Sequence, residues 1–286
     1  MPELPEVEII RQGLSPLVTG ARIKNLVLRR PNLRFDFPAR FADKVKDTRI
    51  ENVARRAKYL LFELSSGQTI LSHLGMTGNY RFFVPEKPGD FEKHDHVVFE
   101  LSDANIPSAF LVYSDPRRFG FMDLIDDHQN CNFLKNLGPE PLSNHLTSNL
   151  LRKRFASRRG PVKTVLLDQH VIAGLGNIYV CEALFRAGIN PATPAKNLSA
   201  SPDGATGEKL EALTRSIRAV LNEALQAGGS TLKDYRQVEG QSGYFQHRFA
   251  VYDREGEPCH NPHCNGQIER VLHSGRSTFY CPACQT

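Results

Sequence analysis

No apolar run in this 286-residue chain approaches the roughly 20 residues a bilayer-spanning helix requires, so a helical membrane protein is not expected. The opening residues, MPELPEVEII, carry three glutamates and no basic segment, and so lack the make-up of a secretory signal. No internal repeat recurs, and 18 prolines with 21 glycines are ordinary usage, which excludes collagen-like and low-complexity chains. Residues 1–150 have no charge imbalance, with 19 Lys+Arg against 19 Asp+Glu. The whole formal surplus of +5 lies in residues 151–286, with 17 against 12. A basic excess of that size permits a polyanionic partner without requiring one. What is present is a 40% apolar, 9% aromatic composition that can bury a genuine core, which excludes global disorder. A soluble intracellular protein is the expectation.

The hydrophobic pattern changes along the chain. Val7, Ile10, Leu14 and Leu17 recur at helical spacing, with Pro5 suited to the first turn. From about Ala21 to Asp126 the texture is β: RIKNLVL, RIENVARRAKYLLFEL, QTILSHLG, YRFFV, HVVFEL, AFLVYSD and FGFMDLI are separated by turn clusters such as SSGQ and PEKPGD. Seven or eight short strands predict a sandwich or flattened barrel. GPEPLSNHL, residues 138–146, reads as a linker. Helical periodicity then covers SNLLRKRFAS, KTVLLDQ, NIYVCEALFRAG and GEKLEALTRSIRAVLNEALQ, and the last 40 or so residues return to short strands and turns.

Four of six cysteines lie in those last residues. Cys259 and Cys264 are separated by four residues, Cys264 and Cys281 by sixteen, Cys281 and Cys284 by two. Two knuckles flanking a hairpin-length insert suit four thiolates converging on one tetrahedral Zn²⁺. Ser274–Gly275 marks the hairpin turn. His260 and His263 lie inside the first knuckle, and either could stand in for a thiolate. Such a module cannot bury a core alone, so metal binding and folding are coupled.

Two further features could carry chemistry. Ala173-Gly174-Leu175-Gly176-Asn177 precedes an apolar helix, and a glycine turn feeding a helix start presents free N–H groups to an anion. A tight helix–helix turn without a ligand would look the same, and Arg158, Arg159 and Lys163 upstream shift the balance toward phosphate. At the other end, Pro2 follows Met1 and is small enough to permit removal of the initiator, leaving a secondary amine. An α-amino group titrates about 2.5 units below lysine, so far more of it is neutral and nucleophilic near pH 7. Glu3 and Glu6 lie within one turn and could shuttle protons. An unremarkable terminus with acidic residues at a helix start is the alternative reading of those residues alone.

Together these motifs resemble the bacterial formamidopyrimidine-DNA glycosylases. The resemblance rests on MPELPEVE, RRAKYLL at 55–61, HLGMTG at 73–78, KHDHV at 93–97, DPRRFG at 115–120, LGPEPL at 137–142, GLGNIYVCE at 174–182, TLKDY at 231–235 and the terminal cysteines, in order and from residue 2 to residue 284. It implies a multidomain α+β fold: an N-terminal helix plus β-sandwich over 1–137, a helix–two-turn–helix domain over 138–248 and a zinc ribbon over 249–286, with DNA held in the cleft between them. The implied activity is base-excision repair of damaged double-stranded DNA by a cytoplasmic, nucleoid-associated monomer. Oxidised purines such as 8-oxoguanine and formamidopyrimidines are removed and the strand is cut by β,δ-elimination.

Carried over motif by motif, Pro2 is the nucleophile at C1′ and Glu3 the acid assisting base loss and sugar opening. Lys58 is assigned to proton transfer in β-elimination and phosphate contact, and Arg276 to δ-elimination and phosphate clamping. His94, Arg117 and Arg159 fall at DNA-contact positions, and His73 and Asn177 at phosphate contacts. Met76, Arg117 and Phe119 fill the void left by the extruded base, a task that chemistry on a flipped nucleotide requires. Lys163 and Glu182 match further positions around the site. One structural Zn²⁺ on Cys259, Cys264, Cys281 and Cys284 is the implied metal. The family has two residues within the first knuckle where this chain has four, so Cys264 is the safer ligand and Cys259 the less certain one. Cys181 stands where a small polar residue is common, and is expected to be buried. An endonuclease VIII-like enzyme for oxidised pyrimidines is the alternative within the superfamily, disfavoured by the PELPEV start and by Met76, Arg117 and Phe119. A catalytically silent zinc-ribbon nucleic-acid-binding protein is disfavoured by Pro2, Glu3 and Lys58 together.

Overall fold

The computed structural model describes residues 2–84, 91–103, 108–200, 204–230 and 243–286. Met1, the PEKPGD cluster and the TLKDY motif lie outside the described residues. The chain divides into two units: Met1–Lys135 with Ala227–Tyr244, and Asn136–Gln226 with Phe245–Thr286.

The first unit opens with α1 (Leu4–Val18), whose start is a capping box: the Glu6 carboxylate accepts the Glu3 backbone N–H at 2.9 Å. Leu4, Val7, Ile10, Leu14 and Val18 form its buried stripe. Then come β1 (Arg22–Leu28), a short α2 (Phe41–Val45), β2 (Ile50–Arg56), β3 (Tyr59–Leu64), β4 (Thr69–His73), β5 (Asn79–Phe83), β6 (Asp95–Ser102), β7 (Ala109–Ser114) and β8 (Phe121–Ile125). They build two four-stranded antiparallel sheets, ordered β1-β6-β7-β5 and β2-β3-β4-β8. Ile23, Phe99 and Leu111 from one sheet meet Val53, Phe62 and Ile70 from the other in a single core that also takes the α1 stripe. This is the expected sandwich. The run RIENVARRAKYLLFEL, read above as one β segment, is two strands: Arg56 pairs with Tyr59 across a two-residue turn at Ala57–Lys58.

The second unit contains α3 (Ser148–Phe155), α4 (Val162–Leu167), α5 (Asn177–Arg186), α6 (Ala205–Gln226), β9 (Glu269–His273) and β10 (Arg276–Tyr280). Thr147 caps α3 by accepting the Leu150 N–H. α5 is buried almost throughout, and Arg186 on it donates to both carboxylate oxygens of Glu223 on α6, at 2.6 and 2.8 Å. β9 and β10 pair across Ser274 (φ 50°) and Gly275 (φ 75°), the double positive φ that a tight two-residue hairpin needs. Among the described residues no helix is long and apolar enough to cross a membrane.

Candidate active site and nucleic-acid interface

Pro2 and Glu3 are both buried where α1 begins. The turn that presents Lys58 is tied to the same helix. Arg55 donates to Glu8 on α1 at 2.9 Å and to the Ala57 carbonyl at 2.8 Å. Burial alone would raise the Glu8 carboxyl, but hydrogen bonds from Arg11 and Arg55 outweigh it and hold the group below its ordinary range. Ala57 sits at φ 53°, a conformation that costs an L-residue about 1 kcal/mol. The Arg55 bridge holds that backbone in place, and the next side chain, Lys58, is itself buried.

His73 ends β4, with its ring against Tyr59 and Phe121 at centroid distances of 5.1 and 5.4 Å. Its Nδ1 accepts the Gly75 N–H at 3.1 Å, so the neutral ring carries its proton on Nε2. Burial, and then the charges of Lys58 and Arg34, push this imidazole down to about 4. His73 is therefore a neutral donor at physiological pH. The HLGMTG segment that it opens lies directly on DPRRFG: a Cβ at Gly75 would overlap the Phe119 carbonyl group and the Gly120 nitrogen. KHDHV joins the same cluster, since the His94 carbonyl accepts the Asp115 N–H at 3.0 Å. Met76, His94, Arg117 and Phe119 are thus gathered at adjoining loops of one unit. Arg117 lies 4.7 Å above the exposed Phe119 ring, a cation–π pair open to solvent.

In the second unit the glycine turn is held by a residue the sequence did not single out. Gln169 donates to the Leu175 carbonyl at 2.8 Å and accepts the Gly174 N–H at 2.8 Å. Asn177 starts α5, and its Nδ2 donates to the Ser277 carbonyl at 2.9 Å. Lys163 is fully buried and donates to the same Ser277 carbonyl and to Thr278 Oγ1, both at 2.7 Å. Burial, with the charge of Arg276 beyond, lowers its ammonium. Two helices therefore grip β10 immediately after Arg276. Glu182 is also fully buried: it accepts the N–H groups of Ala250, Val251 and Tyr252 at 2.9–3.1 Å, fixing the chain that leads into the cysteine module. Arg159 is exposed just before α4.

The four expected cysteines converge, with their Sγ atoms all within 4.8 Å of one another. The Cys259–Cys284 and Cys264–Cys281 sulfurs are 3.7 Å apart. Tetrahedral Zn–S bonds of about 2.3 Å would place sulfurs about 3.8 Å apart, so the set fits a four-thiolate metal. Backbone N–H groups of Asn261 and Gly266 point at Cys259 and Cys264, at 3.4 and 3.3 Å. A Cβ at Gly266 would press to 2.9 Å from Cys281 Sγ, so the glycine leaves room for the sulfurs. His260 and His263 are exposed and outside the convergent set; Cys259 belongs to it despite the longer knuckle. Cys181 is buried with Val251, Ile268 and Phe279 in the small core beneath the module.

The sequence profile described as the formamidopyrimidine-DNA glycosylase N-terminal domain matches residues 1–122, and that of the H2TH domain matches residues 137–236. Formamidopyrimidine-DNA glycosylases of Allorhizobium ampelinum and Chelativorans sp. are 50% and 51% identical to the chain, each covering both proteins completely. The crystal structure of the MutM (Fpg) protein of Thermus thermophilus superposes with a TM-score of 0.83 at 40% identity, over 99% of this chain and 98% of that one. A Lactococcus lactis Fpg mutant in complex with Fapy-dG-containing DNA gives 0.86 at 32% identity, with both chains fully covered. The chain belongs to the formamidopyrimidine-DNA glycosylase family.

Proposed function

We propose that this chain is a base-excision DNA glycosylase and abasic-site lyase that removes oxidised purines, 8-oxoguanine and formamidopyrimidines, from damaged double-stranded DNA. The observation that carries the reading is the pairing of a buried Pro2–Glu3 start on a capped helix with the strained turn of Lys58, both fastened to α1. With Met1 removed, the Pro2 nitrogen attacks C1′ of the flipped nucleotide and the base departs with a proton. Glu3 assists the opening of the sugar, and the iminium so formed loses the 3′ and then the 5′ phosphate by β- and δ-elimination. Lys58 serves the first elimination and Arg276 the second. Met76, Arg117 and Phe119 occupy the emptied position in the stack, and His73, His94, Arg159 and Asn177 contact the DNA. Lys163 and Glu182, both buried, act on the hairpin and on the chain entering it instead of on DNA. Cys259, Cys264, Cys281 and Cys284 hold one structural Zn²⁺, whose contribution is to cross-link the ribbon. The functional parts are 1–137, 138–248 and 249–286, in a cytoplasmic monomer.

Borohydride treatment during reaction with an 8-oxoguanine·cytosine duplex tests this reading. A covalent protein–DNA adduct is expected, and Pro2→Gly or retention of Met1 should suppress it at least a hundredfold, an order set by losing a covalent nucleophile. Full cleavage without a trappable adduct overturns the mechanism. Faster excision of thymine glycol than of 8-oxoguanine overturns the substrate and favours the endonuclease VIII-like alternative.

A further inference from the structure

Asp115 is the acid of DPRRFG, and it is fully buried although the four residues after it are all exposed. Its Oδ1 accepts the Thr77 hydroxyl proton at 2.5 Å; its Oδ2 accepts the Gly120 N–H at 2.8 Å and the Tyr113 hydroxyl at 3.4 Å. Thr77 Oγ1 in turn accepts the Arg117 N–H at 3.1 Å. The backbone is engaged as well: the Asp115 carbonyl accepts the Arg118 N–H at 3.1 Å and lies 2.9 Å from His96 Nε2. Within these ties Arg118 is held at φ 60°. A carboxylate is expensive to bury unless its acceptor positions are filled. Here they are filled from both ends of the exposed loop and from the neighbouring HLGMTG segment. Tyr113 joins the hub to the apolar core, while Gly120 and, through Thr77, Arg117 join it to the loop, so the hub fixes the geometry of Arg117 and Phe119, which themselves protrude.

We infer that Asp115, acting through Thr77, is a positioning residue that pre-sets the Arg117–Phe119 loop as a wedge for duplex DNA. The inference rests on the void-filling role proposed above and goes beyond it by naming what holds the wedge ready. A wedge that is already ordered does not lose its conformational freedom again on insertion, so the hub favours lesion capture in a duplex. A single strand leaves no gap opposite an orphaned base and makes no use of a wedge. The hub therefore predicts a loss confined to duplex substrates.

The experiment compares borohydride-trapping rates on an abasic site in a duplex and in the same strand alone, for wild type, Asp115→Asn, Thr77→Val, Thr77→Ser and Phe119→Ala. Asp115→Asn and Thr77→Val should each lose about tenfold on the duplex and less than twofold on the single strand, a scale set by one or two broken buried hydrogen bonds. Thr77→Ser restores the hydroxyl and should recover the duplex rate. 2-Aminopurine opposite the abasic site should brighten on binding wild type and stay dim with Thr77→Val. Equal losses on both substrates, or none on the duplex, overturn the inference. If Asp115→Asn does not fold, the Thr77 pair decides alone. Phe119→Ala separates the two levels: if it loses duplex preference and the Thr77→Val protein does not, the positioning role falls and the wedge stands. If Phe119→Ala keeps its duplex preference, the wedge falls and the positioning role with it.

Discussion

The two units solve the same problem, holding polar side chains in fixed places, with different materials. The sandwich has a large apolar core shared by two sheets and α1, and its candidate site residues sit at the start of α1, on the Ala57–Lys58 turn and around the ends of β4 and β7. Its polar ties are of both ranges: Arg55 reaches Ala57 across one turn and Glu8 on α1, and Asp115 takes Gly120 within its own loop and Thr77 from the neighbouring one. The ribbon rests on a small cluster of Val251, Ile268, Phe279 and cysteines. It depends instead on long-range polar anchors, Lys163 to Thr278 and Glu182 to residues 250–252, and on the four convergent thiols. Where apolar area is plentiful, hydrogen bonds only trim the geometry. Where it is scarce, buried polar anchors and the convergent cysteines specify the shape.

Stripping the metal with a strong chelator should separate the two units most sharply. Metal binding contributes on the order of 10 kcal/mol to modules of this type, far more than the small core beneath can replace. Hydrogen exchange should show the amides of 259–286 losing protection while those of β3 and β4 keep theirs. Equal loss in both regions would break the comparison.

Glu182→Gln comes next. The amide keeps one acceptor and turns an NH₂ toward backbone donors, so a loss of about 2–4 kcal/mol in denaturant unfolding of the second unit is expected. A loss below about 0.5 kcal/mol would mean that Glu182 does not anchor the chain entering the ribbon.

The smallest effect belongs to the sandwich. The His73 imidazole titrates near 4 in the folded chain and near 6.5 when unfolded. Between those values the unfolded chain binds more protons, so stability rises with pH across that window and falls on acidification. The change is on the order of 1–3 kcal/mol and is absent above about pH 6.5. His73→Gln should flatten that slope; an unchanged slope would mean that the buried ring is not its source.

Much of this arrangement is legible in the chain because its signals are local. The spacing of the four cysteines, the Ser274–Gly275 turn and the Val7, Ile10, Leu14 stripe are each confined to a short stretch of chain and translate directly into geometry. The break at Ala57 was not legible, since alanine carries no turn signal and its positive φ is imposed by Arg55 and Glu8. Nothing local in the sequence marks Gln169, or Asp115 within DPRRFG, as a hydrogen-bond hub. Their importance lies in who donates to them, and for Asp115 the donor Thr77 is 38 positions away. Lys163 and Glu182 were placed near the site by resemblance alone. Their hydrogen-bond partners, 115 and 68–70 residues distant, carry no local signal in the sequence.

The sandwich unit also borrows a late piece of chain. Glu6 accepts both the backbone N–H and the hydroxyl of Ser230, at 2.9 and 3.0 Å, and Ala227–Tyr244 belongs to the first unit. On the ribosome, β8 is finished about a hundred residues before Ser230 is translated. The sandwich core is therefore translated well before Ser230 supplies its two donors to Glu6, and the last adjustment at the start of α1 comes late in synthesis.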